Sequence, residues 1–176
     1  MSSSRFRAGP CGFSLVEMLV VVVIIGLMTG VAVLSVSLED THPARDSAER
    51  LASLIRLASE EASLQGENLA LGFWQRGWRF YVLRGETQWQ PVAGDRLLRP
   101  RPLPRGLTFA LQLQGVQVQL PDRDRTQPQV FLMASGEMEP FTLTVRDGGR
   151  TVQILRGNAL GEVRVYGADG RMEHAP

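Results

Sequence analysis

Residues 12–28 read GFSLVEMLVVVVIIGLM, an apolar run interrupted near its start by a single carboxylate, Glu17. From Met18 to Leu38 the chain carries no charge over 21 residues. As a helix rising about 1.5 Å per residue, this stretch spans roughly 31 Å, close to the hydrocarbon thickness of a bilayer. Its valines and isoleucines disfavour a helix in water, but in lipid the backbone must satisfy its own hydrogen bonds, which imposes one. Arg5 and Arg7 precede the run, and Glu39 and Asp40 follow it. Positive charge is retained on the cytoplasmic side, so the pattern predicts a cytoplasmic N-terminus and a body across the membrane.

A cleavable export signal accounts for the basic leader, and Ser35 and Ser37 offer small residues for its cut. The apolar core of such a signal is about 7–15 residues, shorter than this run, and it has no role for Glu17. A lipoprotein signal ending at Cys11 fails because residues 1–10 contain no apolar core. A plain membrane anchor explains the span but not the carboxylate. Gly12-Phe13-Ser14-Leu15-Val16-Glu17 resembles the processing motif of type IV prepilins and of the pseudopilins of type II secretion. The resemblance implies that a prepilin peptidase cuts after Gly12 and methylates the new amino group of Phe13, leaving the leader in the cytoplasm. Glu17 then lies about one helical turn from the mature end. A carboxylate in the apolar region costs ~2.5–3.5 kcal/mol at the bilayer centre and less near its edge. The N-terminal amine of a neighbouring subunit offsets that cost at low dielectric and favours one axial stagger over the others. Gly26 and Gly30 add a GxxxG spacing that permits close helix approach, although glycine is common in membrane helices in any case.

The length of 176 residues suits one domain of ordinary size behind this segment. A net charge of +1 gives no bulk attraction to nucleic acid or to an anionic surface. The chain has two histidines far apart and one cysteine, Cys11, too few soft ligands for a metal site of the zinc type. No cysteine follows Cys11, so the exported body must be held together by its core without a disulfide.

Thr41-His42-Pro43 breaks the membrane pattern, and Pro43 suits the first position of a new helical stretch. Ala44–Gln65 then reads as an amphipathic helix, with Leu51, Leu54, Ile55, Ala58, Ala62 and Leu64 on the apolar side, and Gly66 as its C-cap. The membrane helix is expected to continue into this amphipathic half, whose apolar face needs a sheet. Leu69–Phe73 and Trp78–Leu83 read as strands, and Arg84-Gly85-Glu86 turns the chain. Leu107, Phe109, Leu111 and Leu113 alternate with polar or small residues, and Val116, Val118 and Leu120 repeat the pattern. Val130–Met133 is a short apolar run. Phe141–Val145 and Thr151–Leu155 flank Asp147-Gly148-Gly149 as a hairpin, and Glu162–Tyr166 makes a last strand before the Asp169-Gly170 turn. The fold class is α+β: a long N-terminal helix packed on an antiparallel β-sheet head.

Phe73, Trp74, Trp78, Phe80, Tyr81 and Trp89 form an aromatic cluster, read as packing the sheet against the helix rather than as a stacking platform for nucleic acid or sugar. Residues 95–106, DRLLRPRPLPRG, read as an extended connection with solvated arginines rather than a polyproline ligand or a phosphate-binding strip. Asp122-Arg123-Asp124-Arg125 reads as a solvated loop tip whose charges cancel. No GxxxxGKS, HExxH or CxxC motif occurs and no acid–base pair stands out, so the reading is of a protein that is not an enzyme and carries no cofactor.

RLASEEASLQGENLALGF at 56–73, GWRFYVL, Trp89, LLRPRPLPRGLTF and FLMASGEMEPFTLTV at 131–145 resemble, in that order, the H-type minor pseudopilins of type II secretion. The resemblance implies a leader at 1–12, a transmembrane and assembly helix at 13–42 and a periplasmic head at 43–176. It implies a low-abundance subunit at or near the pseudopilus tip, inserted in the inner membrane before assembly. Its partners would be prepilin peptidase, the I-, J- and K-type minor pseudopilins and the major G-type subunit, with a secreted substrate or the secretin as further candidate contacts. G-type subunits are the calcium binders of the family, and no oxygen-rich loop here carries that over. The alternative is a minor pilin of type IV pili, in pilus assembly or DNA uptake. The tail Gly161–Pro176, with no cysteine and with Arg164 and Arg171 against Glu162, Asp169 and Glu173, argues against DNA capture.

Overall fold

A computed structural model of the chain describes residues 15–26, 42–124 and 127–173. The chain divides into two units, Met1–Asp40 and Thr41–Pro176. In the first, residues 15–26 form helix α1, with every side chain exposed. Among the described residues no helix is long and apolar enough to cross a membrane. Gly12, Phe13, the rest of the apolar run and the expected junction with the second helix lie outside the described residues.

The second unit opens with helix α2, His42–Gln65. Ala44, Ala48, Leu51, Ala52, Leu54, Ile55, Ala58 and Ala62 make a buried stripe at helical spacing. Its many alanines let the helix backbone lie close to the strands beneath. Leu64 does not belong to this stripe: it is 88% exposed. Two residues beyond Ala62 it has turned about 200° around the axis, so hydrophobicity alone misplaced it. Gly66 ends the helix at φ 67°, and the Glu67 N–H donates to the Ala62 carbonyl at 3.1 Å, closing a Schellman cap.

Among the described residues ten antiparallel strands follow, in two five-stranded sheets. The first contains β1 (Leu69–Trp74), β2 (Gly77–Arg84), β3 (Gln88–Pro91), β4 (Arg101–Pro102) and β7 (Val130–Leu132), in the order β3-β2-β1-β7 with β4 also on β2. The second contains β5 (Leu107–Leu113), β6 (Val116–Val118), β8 (Phe141–Asp147), β9 (Arg150–Gly157) and β10 (Val163–Gly167), in the order β10-β9-β8-β5-β6. The hairpins β1–β2 and β8–β9 match the expected strands, because alternation and local turn residues specify them. The edge strands β3 and β4 were not anticipated. Both contain proline and they are only four and two residues long, so only pairing with β2 reveals them. Val116 also departs from expectation: β6 is a short edge, and this valine is exposed.

One hydrophobic cluster joins the α2 stripe to both sheets. It takes Leu69, Leu71 and Phe73 from β1, Trp78, Phe80 and Val82 from β2, and Phe109, Leu111, Leu143, Val145 and Leu155 from the second sheet. Phe109 meets Phe73 edge-on at 5.8 Å and Trp78 at 6.0 Å, linking the sheets. The aromatic cluster of the sequence is therefore divided. Phe73, Trp78 and Phe80 enter the core as expected, whereas Trp74, Tyr81 and Trp89 belong by alternation to the other face of the first sheet. There Trp89 meets Phe131 at 5.4 Å.

Candidate assembly interface

Among the described residues no concave site gathers convergent catalytic groups, and the candidate functional surfaces are those that neighbouring chains could use. Glu17 lies on α1 among exposed apolar side chains, Leu15, Val16, Met18 and Leu19 being its neighbours in sequence. On the head, a groove of about 550 Å³ runs between α2 and two loops. Ser59, Ser63, Gly136 and Gly161 line it together with Leu64 and Leu160, which are 88% and 80% exposed. Gly161 sits so close that an added Cβ would stand 2.9 Å from the Gly136 carbonyl oxygen. A second, more polar groove of about 390 Å³ crosses the outer face of the second sheet, where the Arg156 guanidinium lies 5.0 Å from the Tyr166 ring centroid.

Some of the charged groups of the head are paired on its surface. Arg45 bonds Glu49 at 2.7 Å and stands 3.5 Å from Glu173, which ties the C-terminal tail to the start of α2. The hydrogen bond to Glu49, then the charge of Glu173, holds the Arg45 guanidinium above the usual arginine range. Arg84 bonds Glu67 at 2.6 Å, and Arg79 pairs with Asp124. That last pair corrects the reading of the 122–125 tip as wholly solvated. Such pairs suit a structural surface, and among the described residues no group of His, Cys, Asp and Glu is arranged to hold a metal.

The 95–106 segment is more anchored than its composition suggests. Leu98 and Leu103 are buried, and Arg101 sits in β4 opposite Trp78. Gly77 makes that closure possible, because a Cβ there would stand 2.4 Å from the Arg101 carbonyl oxygen. Arg96, Arg99 and Arg105 are exposed as expected, but the Nε of Arg101 is buried without a hydrogen-bond partner. The alternating arginines and prolines carry no signal that separates this one from the others. The groove residue Leu160 was likewise missed, since a lone leucine in a turn has no period to report it.

Residues 47–161 match the family described as Type II transport protein GspH. The chain belongs to that family. It is a minor pseudopilin of the type II secretion system, a structural rather than an enzymatic subunit. Residues 8–33 also match the prokaryotic N-terminal methylation motif. The type II secretion system protein H of Pseudomonas aeruginosa is 34% identical over 150 residues, covering 78% of this chain and 84% of its own. That of Aeromonas hydrophila is 27% identical over 156 residues, covering 82% and 85%. The structure of the minor pseudopilin EpsH from the type 2 secretion system of Vibrio cholerae shares the fold with a TM-score of 0.62 at 25% identity, over 76% of this chain and 99% of that one. The solution structure of Escherichia coli GspH matches with a TM-score of 0.60 at 24% identity, over 73% and 91%, a likeness of fold. GspH membership favours secretion over the type IV pilus alternative, and the α+β expectation agrees with the EpsH fold.

Proposed function

We propose that this GspH-family chain works at or near the tip of the secretion pseudopilus, in contact with the I-, J- and K-type minor pseudopilins and the major G-type subunit. Residues 1–12 are a leader removed by prepilin peptidase after Gly12, and Phe13 becomes the methylated N-terminus. Residues 13–42 anchor the unassembled subunit in the inner membrane and pack against neighbours after assembly, while residues 43–176 form the periplasmic head. Glu17 pairs with the N-terminal amine of an adjacent subunit and sets its axial position.

The observation that carries this reading is a single carboxylate in α1 inside the stretch that matches the N-terminal methylation motif. An unpaired carboxylate among apolar groups is unfavourable, and a fixed cationic partner reverses that only in one register. Intact mass of the purified protein tests the maturation steps directly. The expected species lacks residues 1–12 and carries one added methyl group on Phe13. A protein that keeps its leader in cells with an active prepilin peptidase would overturn the proposal.

A further inference from the structure

At one edge of the first sheet the structure gathers hydrogen-bond donors and positive charge without an acceptor. Trp78 and Arg101 are directly opposite each other on β2 and β4, so their side chains leave the same face with Cβ atoms about 5 Å apart. The indole Nε1 of Trp78 and the Nε of Arg101 are both buried, and neither has a hydrogen-bond partner. Burial, then the charges of Arg50 on α2 and of Arg99, pushes the Arg101 guanidinium below the usual arginine range. Among the described residues, none of these three arginines makes an ion pair. An arginine does not relieve this by losing its proton, so the arrangement is stabilised when an anion arrives.

We infer that the corner formed by Arg50, Arg99, Arg101 and Trp78 receives a carboxylate side chain from a neighbouring pseudopilin subunit. This rests on the reading of the chain as a filament subunit and names one contact of its head. A planar carboxylate matches the forked donors of a guanidinium. Arg101 is only partly exposed and its Nε is buried, so an anion on an extended protein side chain reaches it more readily than a phosphate held in a headgroup layer. Exposed charges on a helix and a loop also leave room for an approaching chain: Arg50 and Arg99 are both at the surface.

The test uses the full chain in cells that carry its own secretion system, with a photo-crosslinking residue in place of Leu97, which is exposed beside the corner. The expected result is a crosslink to one of the other pseudopilins. Its yield should fall at least about tenfold in Arg50→Glu and in Arg99→Glu, the usual scale for breaking a close charge pair across an interface. Both positions are exposed, so an unchanged melting temperature verifies the fold, and an acid-to-arginine change on the crosslinked partner should restore the yield. Arg101→Gln should lose the crosslink in the same way. Undiminished crosslinking in the charge reversals overturns the inference, as does the absence of a residue-97 crosslink while crosslinks from α1 persist. Loss of crosslinks from both places overturns the filament reading itself. Slower hydrogen exchange around Arg101 in phosphatidylglycerol nanodiscs than in phosphatidylcholine ones, with crosslinks unaffected by charge reversal, would assign the site to lipid phosphate and also overturn it.

Discussion

The side-chain amide of Gln129 pairs with the backbone of Phe73, accepting from its N–H at 2.6 Å and donating to its carbonyl at 3.4 Å. The ladder between β1 and β7 has ended by then, its last pair being Leu71 with Val130. Continued in register, the residue opposite Phe73 would be Pro128, which has no N–H to give. Gln129 supplies both missing groups from its side chain, and its own N–H bonds the Leu71 carbonyl at 2.8 Å. The central strand of the first sheet is thus completed by an amide side chain.

Gln129→Ala should therefore lower stability by about 1–3 kcal/mol, the cost of leaving a poorly hydrated backbone group unpaired. Chemical unfolding of the full chain in detergent, followed by tryptophan fluorescence, would measure it. Gln129→Glu keeps the acceptor for the Phe73 N–H and should cost less. Equal losses in both variants would contradict this account.

Gly157 and Gly77 are required by space. A Cβ at Gly157 would stand 2.3 Å from the Phe141 ring, and one at Gly77 would stand 2.3 Å from the Trp74 ring. Gly157→Ala and Gly77→Ala should each destabilise by ~1–3 kcal/mol through forced repacking. A wild-type melting profile for either would show that these rings move aside freely.

The two leucines Leu51 and Leu64 should behave oppositely although both lie on α2. Leu51 is fully buried, so Leu51→Ala should cost about 2–5 kcal/mol. Leu64 faces outward, so Leu64→Ser should change stability by no more than about 0.5 kcal/mol. Urea midpoints of the two variants decide the matter.

The ion pairs of Arg45 predict a pH dependence with a definite sign. A base whose pKa is raised on folding contributes stability that is fully present below its unfolded value and fades only as pH rises through the folded one. For Arg45 both lie at or above the usual arginine range. The melting-temperature loss in Arg45→Met should therefore be no smaller at pH 9 than at pH 7. A loss that vanishes by pH 9 would mean that titration of some other group controls the contact.

Glu17→Val removes the proposed register charge without making the segment less apolar. Membrane insertion, measured by resistance to carbonate extraction, should be unchanged or stronger. Crosslinking to neighbouring pseudopilins should fall by about tenfold or more, equivalent to ~1.4 kcal/mol of lost pairing. Normal crosslinking together with normal secretion in this variant would reject the register role.

Much of this protein is determined within short windows of its sequence. The apolar run with its lone Glu17, the α2 stripe from Leu51 to Ala62, the Gly66 cap and the hairpin around Gly148-Gly149 all depend on neighbours a few residues apart. Helical and strand periods, together with local turn chemistry, therefore make them legible. The division into two sheets, the split of the aromatic cluster between the two faces of the first, the Gln129–Phe73 pairing across 56 residues and the burial of the Arg101 Nε were decided only by tertiary structure. Each depends on which distant strand supplies the missing hydrogen bond or covers the exposed face, and no local period encodes that choice.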